Sequence, residues 1–292
     1  MEGTCRPVGL DAGRWCATRS RGRILQVTLT VHVDVSLSVE VLKPGQLALC
    51  LGTASPTAGE ALQVLGPDGD ELEIREVRAD GGRIHLVDVP NPAVQAHYRA
   101  RVDLAGGDAE PVSEIEALVY RRPSRYCPSD RLAGLAAAEF GSLDPREAAL
   151  AVEGWLHEKL SYVPGSTDAA DDALHPLLTR TGVCRDYAHL GVALCRALGV
   201  PARYTAVYAP GLSPMDFHAV FEAAIDGKWL VFDGTRLAPR RSLARIASGR
   251  DAADTAFLTP LSAVVGSVQH DVTVTSDPHL PVDDSSMLVP LD

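Results

Sequence analysis

Gly182-Val183-Cys184-Arg185-Asp186-Tyr187-Ala188-His189-Leu190 is the stretch on which the reading of this chain turns. A small-residue turn delivers a cysteine to what reads as the first residue of a helix. Val183, Tyr187, Leu190, Leu194 and Leu198 recur at steps of three and four, the spacing of one helical face. Gly199 and Pro201 then stop the helix. A thiol at a helix N-terminus meets orphan N–H groups and the positive end of the macrodipole, and both favour the thiolate. The ordinary alternative is a small buried hydrophobe at a helix start. What decides between them is whether the rest of the chain supplies a base.

Downstream of this helix the hydrophobic period switches to two. Ala202 to Tyr208 reads as a strand and Ala209 to Pro214 as a loop. His218 to Ile225 and Trp229 to Asp233 are two more strands, joined by Asp226-Gly227, a strong hairpin signal. A two-residue turn pairs Ile225 with Lys228 and so sets Val220 opposite Asp233. His218 lies two residues from Val220 and shares its face. His218 and Asp233 therefore become diagonal neighbours, roughly 7–8 Å apart at the backbone and within side-chain reach. A one-residue slip would send them to opposite faces.

Cys184, His218 and Asp233 are thus the expected catalytic set. An imidazole can take the thiol proton, and a carboxylate can fix its tautomer and stabilise its charge. The backbone N–H of Cys184 would form part of an oxyanion hole because it opens the helix. Tyr162, placed just before the loop from Pro164 to Asp172, is the candidate for a second donor. Arg185 and Asp186 read as holding the helix start through local ion pairs. His189 falls roughly 140° around the helix from Cys184, which makes it a poor base and a core or surface histidine instead. Tyr204 and Tyr208 read as either cleft-lining or core residues.

The rest of the chain frames this site. Residues 1–22 carry little periodicity and read as a loose leader. Residues 23–119 read as a β-sandwich-like domain, with Ile24 to Val41, Leu47 to Leu51, Leu72 to Val77, Arg83 to Val89 and Tyr98 to Leu104 as strands. A proline-rich crossing near Tyr120 to Asp130 leads into residues 120–275, the expected catalytic domain. There Asp130 to Phe140 and Asp144 to Leu160 read as helices. Asp144 is the expected N-cap of the second, with Pro145 at its first turn and Glu147 completing a capping box. A short helical piece ends near Thr179. His270 to Thr275 is the expected last edge strand, and 276–292 an irregular tail.

Composition bounds the function. A net charge of −11 over 292 residues, with no basic run interleaved with aromatics, argues against a nucleic-acid partner. No run approaches the ~18 apolar residues of a membrane span, so no membrane partner is expected. The six cysteines are scattered with no CxxC pair, which points to reduced thiols and a cytoplasmic setting. Cys184, His218 and Asp233 lack the spacing of a metal motif, so neither a metal nor another cofactor is expected.

Several blocks, taken in order, resemble the bacterial transglutaminase-like superfamily. They are Pro123 to Cys127, Gly182 to Asp186, Pro201 to Tyr204, Asp216 to Glu222, Trp229 to Arg236 and Gly249 to Asp254. The resemblance implies an α+β fold: a papain- or transglutaminase-like core, its nucleophile helix packed on an antiparallel sheet, preceded by the β-sandwich. It carries the family's catalytic cysteine, histidine and aspartate onto Cys184, His218 and Asp233. It implies acyl transfer through a thioester on a peptide, protein or amide substrate, with hydrolysis favoured. Transfer to an amine acceptor is the alternative, and a non-catalytic binding module on the same fold is a further one. Gly234 departs from the family pattern, which commonly has proline there, and a looser turn after Asp233 is the expected consequence.

Overall fold

The computed structural model describes residues 29–79 and 81–291. The expected leader, the start of the first strand at Ile24 to Thr28, and Cys5 and Cys16 lie outside the described residues. The chain opens with six strands: β1 (Leu29–Lys43), β2 (Gly45–Leu49), β3 (Ala61–Leu65), β4 (Ile74–Ala79), β5 (Gly82–Val89) and β6 (Ala93–Leu104). Next come α1 (Glu114–Val119), a 3-10 turn (Ser129–Leu132), α2 (Ala133–Phe140) and α3 (Pro145–Lys159). Then follow β7 (Ser161–Tyr162), α4 (Leu174–Thr179), β8 (Thr181–Gly182) and α5 (Cys184–Ala197). The chain ends with β9 (Ala202–Tyr208), β10 (His218–Ile225), β11 (Lys228–Phe232), β12 (Ala244–Gly249), β13 (Leu258–Pro260) and β14 (Val264–Asp277).

Two antiparallel sheets face each other. One has the order β14-β1-β6-β3, the other β11-β10-β9-β12-β5-β2-β13, with β4 also paired to β5. In β1 the alternation is nearly complete. Val31, Val33, Val35, Leu37, Val39 and Val41 are buried, and their side chains meet Leu47, Leu49, Val87 and Val89 of the second sheet. Alternating burial along a long strand is what a sandwich requires.

α5 is packed on the other part of the second sheet, against β9 and β10. The sequence predicted one apolar face, but the helix is buried on all sides from Asp186 to Arg196. α2, α3 and α4 cover the faces that the sheet leaves open. Gly191 permits the closest approach, since a Cβ there would come within 2.6 Å of the Phe221 ring. The result is the cysteine-bearing helix on an antiparallel sheet, with a strand-rich region before it.

Other differences from the sequence reading have local causes. Residues 114–119 sit inside the expected β-rich stretch, yet they form α1, which Ser113 and Glu116 cap reciprocally. β3 was not anticipated; it is a short edge strand with little of its surface buried. The expected division at 119/120 does not separate two sheets. β12 joins β5 across it through Ala247 and Gly82. Ser248 N–H also donates to the Gly81 carbonyl at 2.8 Å. Gly81 is required for that contact, because a Cβ would run into the Ser248 carbonyl oxygen. β14, longer than expected, crosses back to pair with β1 along its length. Beyond it the tail is pinned, with Val289 bridging Val231 and Arg240 gripping Asp283 at 2.9 and 3.0 Å.

Candidate active site

Cys184 is the first residue of α5, and its thiol is half-buried. Asp186 holds the helix start, accepting at Oδ2 from Val183 N–H at 2.8 Å and from the Thr167 hydroxyl at 2.9 Å. Glycine at 182 lets the helix start pack close, since a Cβ there would sit 2.8 Å from the Asp186 Cβ. Arg185 does more than pair with Asp186, from which it lies 3.9 Å. Its guanidinium donates to the carbonyls of Asp168, Ala169 and Asp171, each at 2.9 Å, and so ties the Pro164–Asp172 loop to the helix.

The hairpin takes the register its turn dictates. Asp226 and Gly227 both have positive φ, at 52° and 74°, the two-residue geometry that matches strand twist. Ile225 pairs with Lys228 and Phe221 with Phe232. Asp233 follows directly, and its Oδ2 lies 2.9 Å from His218 Nε2. Both side chains are about 2% exposed or less. With Nε2 engaged, Nδ1 is the ring nitrogen left for the thiol. Burial by itself would push the His218 imidazole toward its neutral form, but the Asp233 carboxylate outweighs it, helped by the Cys184 thiol. The net effect raises His218 to about 10. Asp233 is held below the usual carboxylate range: burial opposes this, and the His218 charge and bonds from Thr235 overcome it. The site therefore favours a protonated imidazole beside the sulfur.

The turn after Asp233 is firm. Thr235 donates to Asp233 Oδ1 through its backbone N–H at 2.9 Å and its hydroxyl at 2.7 Å. Gly234 is packed rather than loose, because a Cβ there would lie 2.8 Å from Leu156 Cβ and 3.3 Å from the Tyr187 ring. The expectation of a loosened turn is corrected: glycine fits where α3 presses against the backbone. Sequence reasoning did not assign Thr235 a role, although a threonine two residues after an aspartate is a recurrent turn signal.

Tyr162 reaches the site through a device the sequence reading did not contain. β7 and β8 form a two-residue parallel ladder that pairs Tyr162 with Gly182. The phenol then lies against both the backbone N–H and the thiol of Cys184. Burial first, and the neighbouring Cys184 next, push Tyr162 up to about 12, so the phenol keeps its proton. His189 is a core residue, stacked on Tyr126 at 5.2 Å and tilted against Tyr204 at 4.9 Å. Its Nε2 accepts from Ala252 N–H at 3.1 Å, and burial holds it well below the usual imidazole range. Tyr204 borders the cavity at Cys184, whereas Tyr208 is a core residue whose hydroxyl donates to Leu51 O at 2.6 Å.

Among the described residues, no group of three or more His, Cys, Asp or Glu side chains is placed to hold a metal ion. Among them, too, no helix is long and apolar enough to cross a membrane.

The Transglutaminase-like superfamily pattern matches residues 136–234, which include Cys184, His218 and Asp233. A protein of Cytophaga hutchinsonii, described as a candidate cysteine protease, is 32% identical. The likeness covers 88% of this chain and 95% of that one, with a TM-score of 0.76. An uncharacterised protein of Mycobacterium leprae is 30% identical over 52% of this chain, and the chain spans only 58% of that relative's length. The periplasmic domain of TgpA from Pseudomonas aeruginosa is 18% identical over 70% of this chain and 87% of that domain. Its TM-score is 0.37, too low to argue from. The family pattern and the Cytophaga hutchinsonii likeness support cysteine-dependent activity in broad terms. With the family pattern spanning α5 and the hairpin, and with a likeness at 32% identity over 88% of its length, the chain belongs to the transglutaminase-like superfamily.

Proposed function

We propose that this chain is a cysteine peptidase or amidase acting through a thioester at Cys184. The observation that carries the reading is the 2.9 Å contact between His218 Nε2 and Asp233, which leaves Nδ1 turned to the thiol at a helix start. His218 Nδ1 takes the thiol proton, and the sulfur attacks the carbonyl carbon of a peptide or amide. The oxyanion that forms is held by the Cys184 N–H and the Tyr162 hydroxyl. The imidazolium then protonates the departing amine as the C–N bond breaks, leaving the thioester. Water, deprotonated by Nδ1, releases the carboxylic acid and restores the thiol. Asp233 keeps the imidazole oriented throughout. The Cytophaga hutchinsonii relative, described as a candidate protease, supports water over an amine as acceptor.

Rates of iodoacetamide alkylation, read by peptide mass spectrometry, test the nucleophile. Cys184 should react faster than Cys50, Cys127 and Cys195, which are buried, with burial pushing their thiols up to about 11, 12 and 12. His218→Ala should slow Cys184 on the order of tenfold or more. Equal labelling, or labelling indifferent to His218, would discard the triad. Peptide turnover with and without added hydroxylamine tests the acceptor: hydrolysis products should dominate, and quantitative conversion to hydroxamate or amide would favour transamidation.

A further inference from the structure

A cavity of about 440 Å³ opens beside Cys184 and His218, within the ~300–1,000 Å³ range of small-ligand sites. Its wall is mostly apolar, built chiefly from Tyr126, Tyr204, Phe217, Ile246 and Phe257 with several alanines. Phe217 and Phe257 stack with centroids 4.8 Å apart and only 8° between their planes. His270 leans on both rings, at 5.7 and 5.6 Å. The rim is polar: His270 Nε2 lies 2.9 Å from Asp216 Oδ1, and Asp216 is more than half exposed.

Much of this wall comes from outside the nucleophile helix and hairpin. Cys50 follows β2, His270 is on β14, and Ala252 to Phe257 link β12 to β13. The linking segment is fastened from behind by buried groups that the proposed chemistry does not use. Asp251 accepts from Tyr126 N–H and from Ala253 N–H, each at 3.0 Å. His189 Nε2 accepts from Ala252 N–H at 3.1 Å, and Arg196 donates to the Arg250 carbonyl at 2.7 Å. The cavity is a preformed surface and not a gap between mobile loops. The loop from Ala209 to Pro214 does not line it and buries Leu212 against Val207 and Val220.

We propose that this cavity receives the side chain of the acyl donor and selects a large apolar one, aromatic or branched aliphatic, over a charged one. The proposal rests on Cys184 being the nucleophile. A carboxylate or ammonium entering here would shed its hydration against carbon. Two further charged lining groups are already engaged, Asp216 by His270 and Arg185 by the carbonyls of Asp168, Ala169 and Asp171, so neither is left free to pair with an incoming charge. Cys50 of the N-terminal strand-rich region, with Phe257 and His270 from beyond the hairpin, thus forms a specificity wall around a nucleophile carried elsewhere in the chain.

Peptidyl chloromethyl ketones of the form acetyl-Ala-X on the full chain test this. The Cys184 sulfur bonds to the methylene as chloride leaves with the C–Cl electron pair, and adduct formation is followed by intact mass. With X as Phe or Leu, inactivation should be at least ~tenfold faster than with Ala, and Lys and Glu should be slowest. Ala256→Leu, which narrows the cavity, should reduce the Phe:Ala rate ratio at least ~fivefold, by the same transition-state discrimination. Phe257→Ala should erode the same ratio by removing the stacked wall. Iodoacetamide, which has no side chain to place, runs in parallel. If it labels Cys184 in a His218-dependent way while the ketone ranking is flat or led by Lys or Glu, the cavity proposal fails and the nucleophile reading stands. If it does not single out Cys184, both fall together.

Discussion

At the scale of residues, two histidines in one core are driven in opposite directions by their surroundings. His218 is raised because Asp233 outweighs the cost of burial, and His189 is lowered because burial is joined by the Arg185 and Arg196 charges. The signs matter for stability. A raised histidine holds its proton more tightly folded than unfolded, so His218 stabilises fully below its unfolded pKa near 6.5 and loses this as pH rises toward about 10. A lowered histidine behaves oppositely: the contribution of His189 is present above 6.5 and fades as pH falls below it. Asp233→Asn keeps the shape and removes the charge that holds the imidazolium. Turnover should fall by on the order of 10³–10⁴, as for a triad with the wrong tautomer. The alkaline limb of the rate profile should move to lower pH. A pH–rate profile in which the alkaline limb stays put would mean that Asp233 does not govern His218.

Among the elements, the hairpin β10–β11 was legible in advance because a two-residue Asp-Gly turn leaves one register, and that register makes the His–Asp contact. α3 was equally legible. Asp144 accepts from the N–H groups of Arg146 and Glu147, both at 2.9 Å, at the expected N-terminus. The ladder β7–β8 was not legible, since two residues carry no period to detect, yet it brings Tyr162 to Cys184. α1 was hidden for a related reason: six residues in a strand-rich text show too little of a helical stripe. Gly234 marks where α3 meets the turn after β11. Gly234→Ala should destabilise by about 1–3 kcal/mol through overpacking against Leu156, measured by denaturant unfolding. A neutral or stabilising result would show that α3 has room to retreat.

For the whole molecule, the decisive feature is that both sheets are assembled from both halves of the chain. β5 and β2 extend the sheet of β9 and β12, and β14 closes the sheet of β1 and β6. Unfolding should therefore be one cooperative transition, with amide hydrogen exchange in β1 and in β10 protected to the same limiting stability. Two separable transitions, with one set of amides exchanging well before the other, would restore two independent domains. Local pattern in the sequence determined the helix that begins at Cys184, the strand alternation, the hairpin register and so the expected trio Cys184, His218 and Asp233. These follow from periodicity and turn chemistry, which act over a few residues. Only the tertiary structure decided what surrounds the sulfur: Tyr162 from a two-residue ladder, the Thr235 brace, and a cavity wall gathered from Cys50, Phe257 and His270. Those contacts join residues far apart in sequence, so no local pattern encodes them. They arise when buried surfaces from distant strands are forced to share one core.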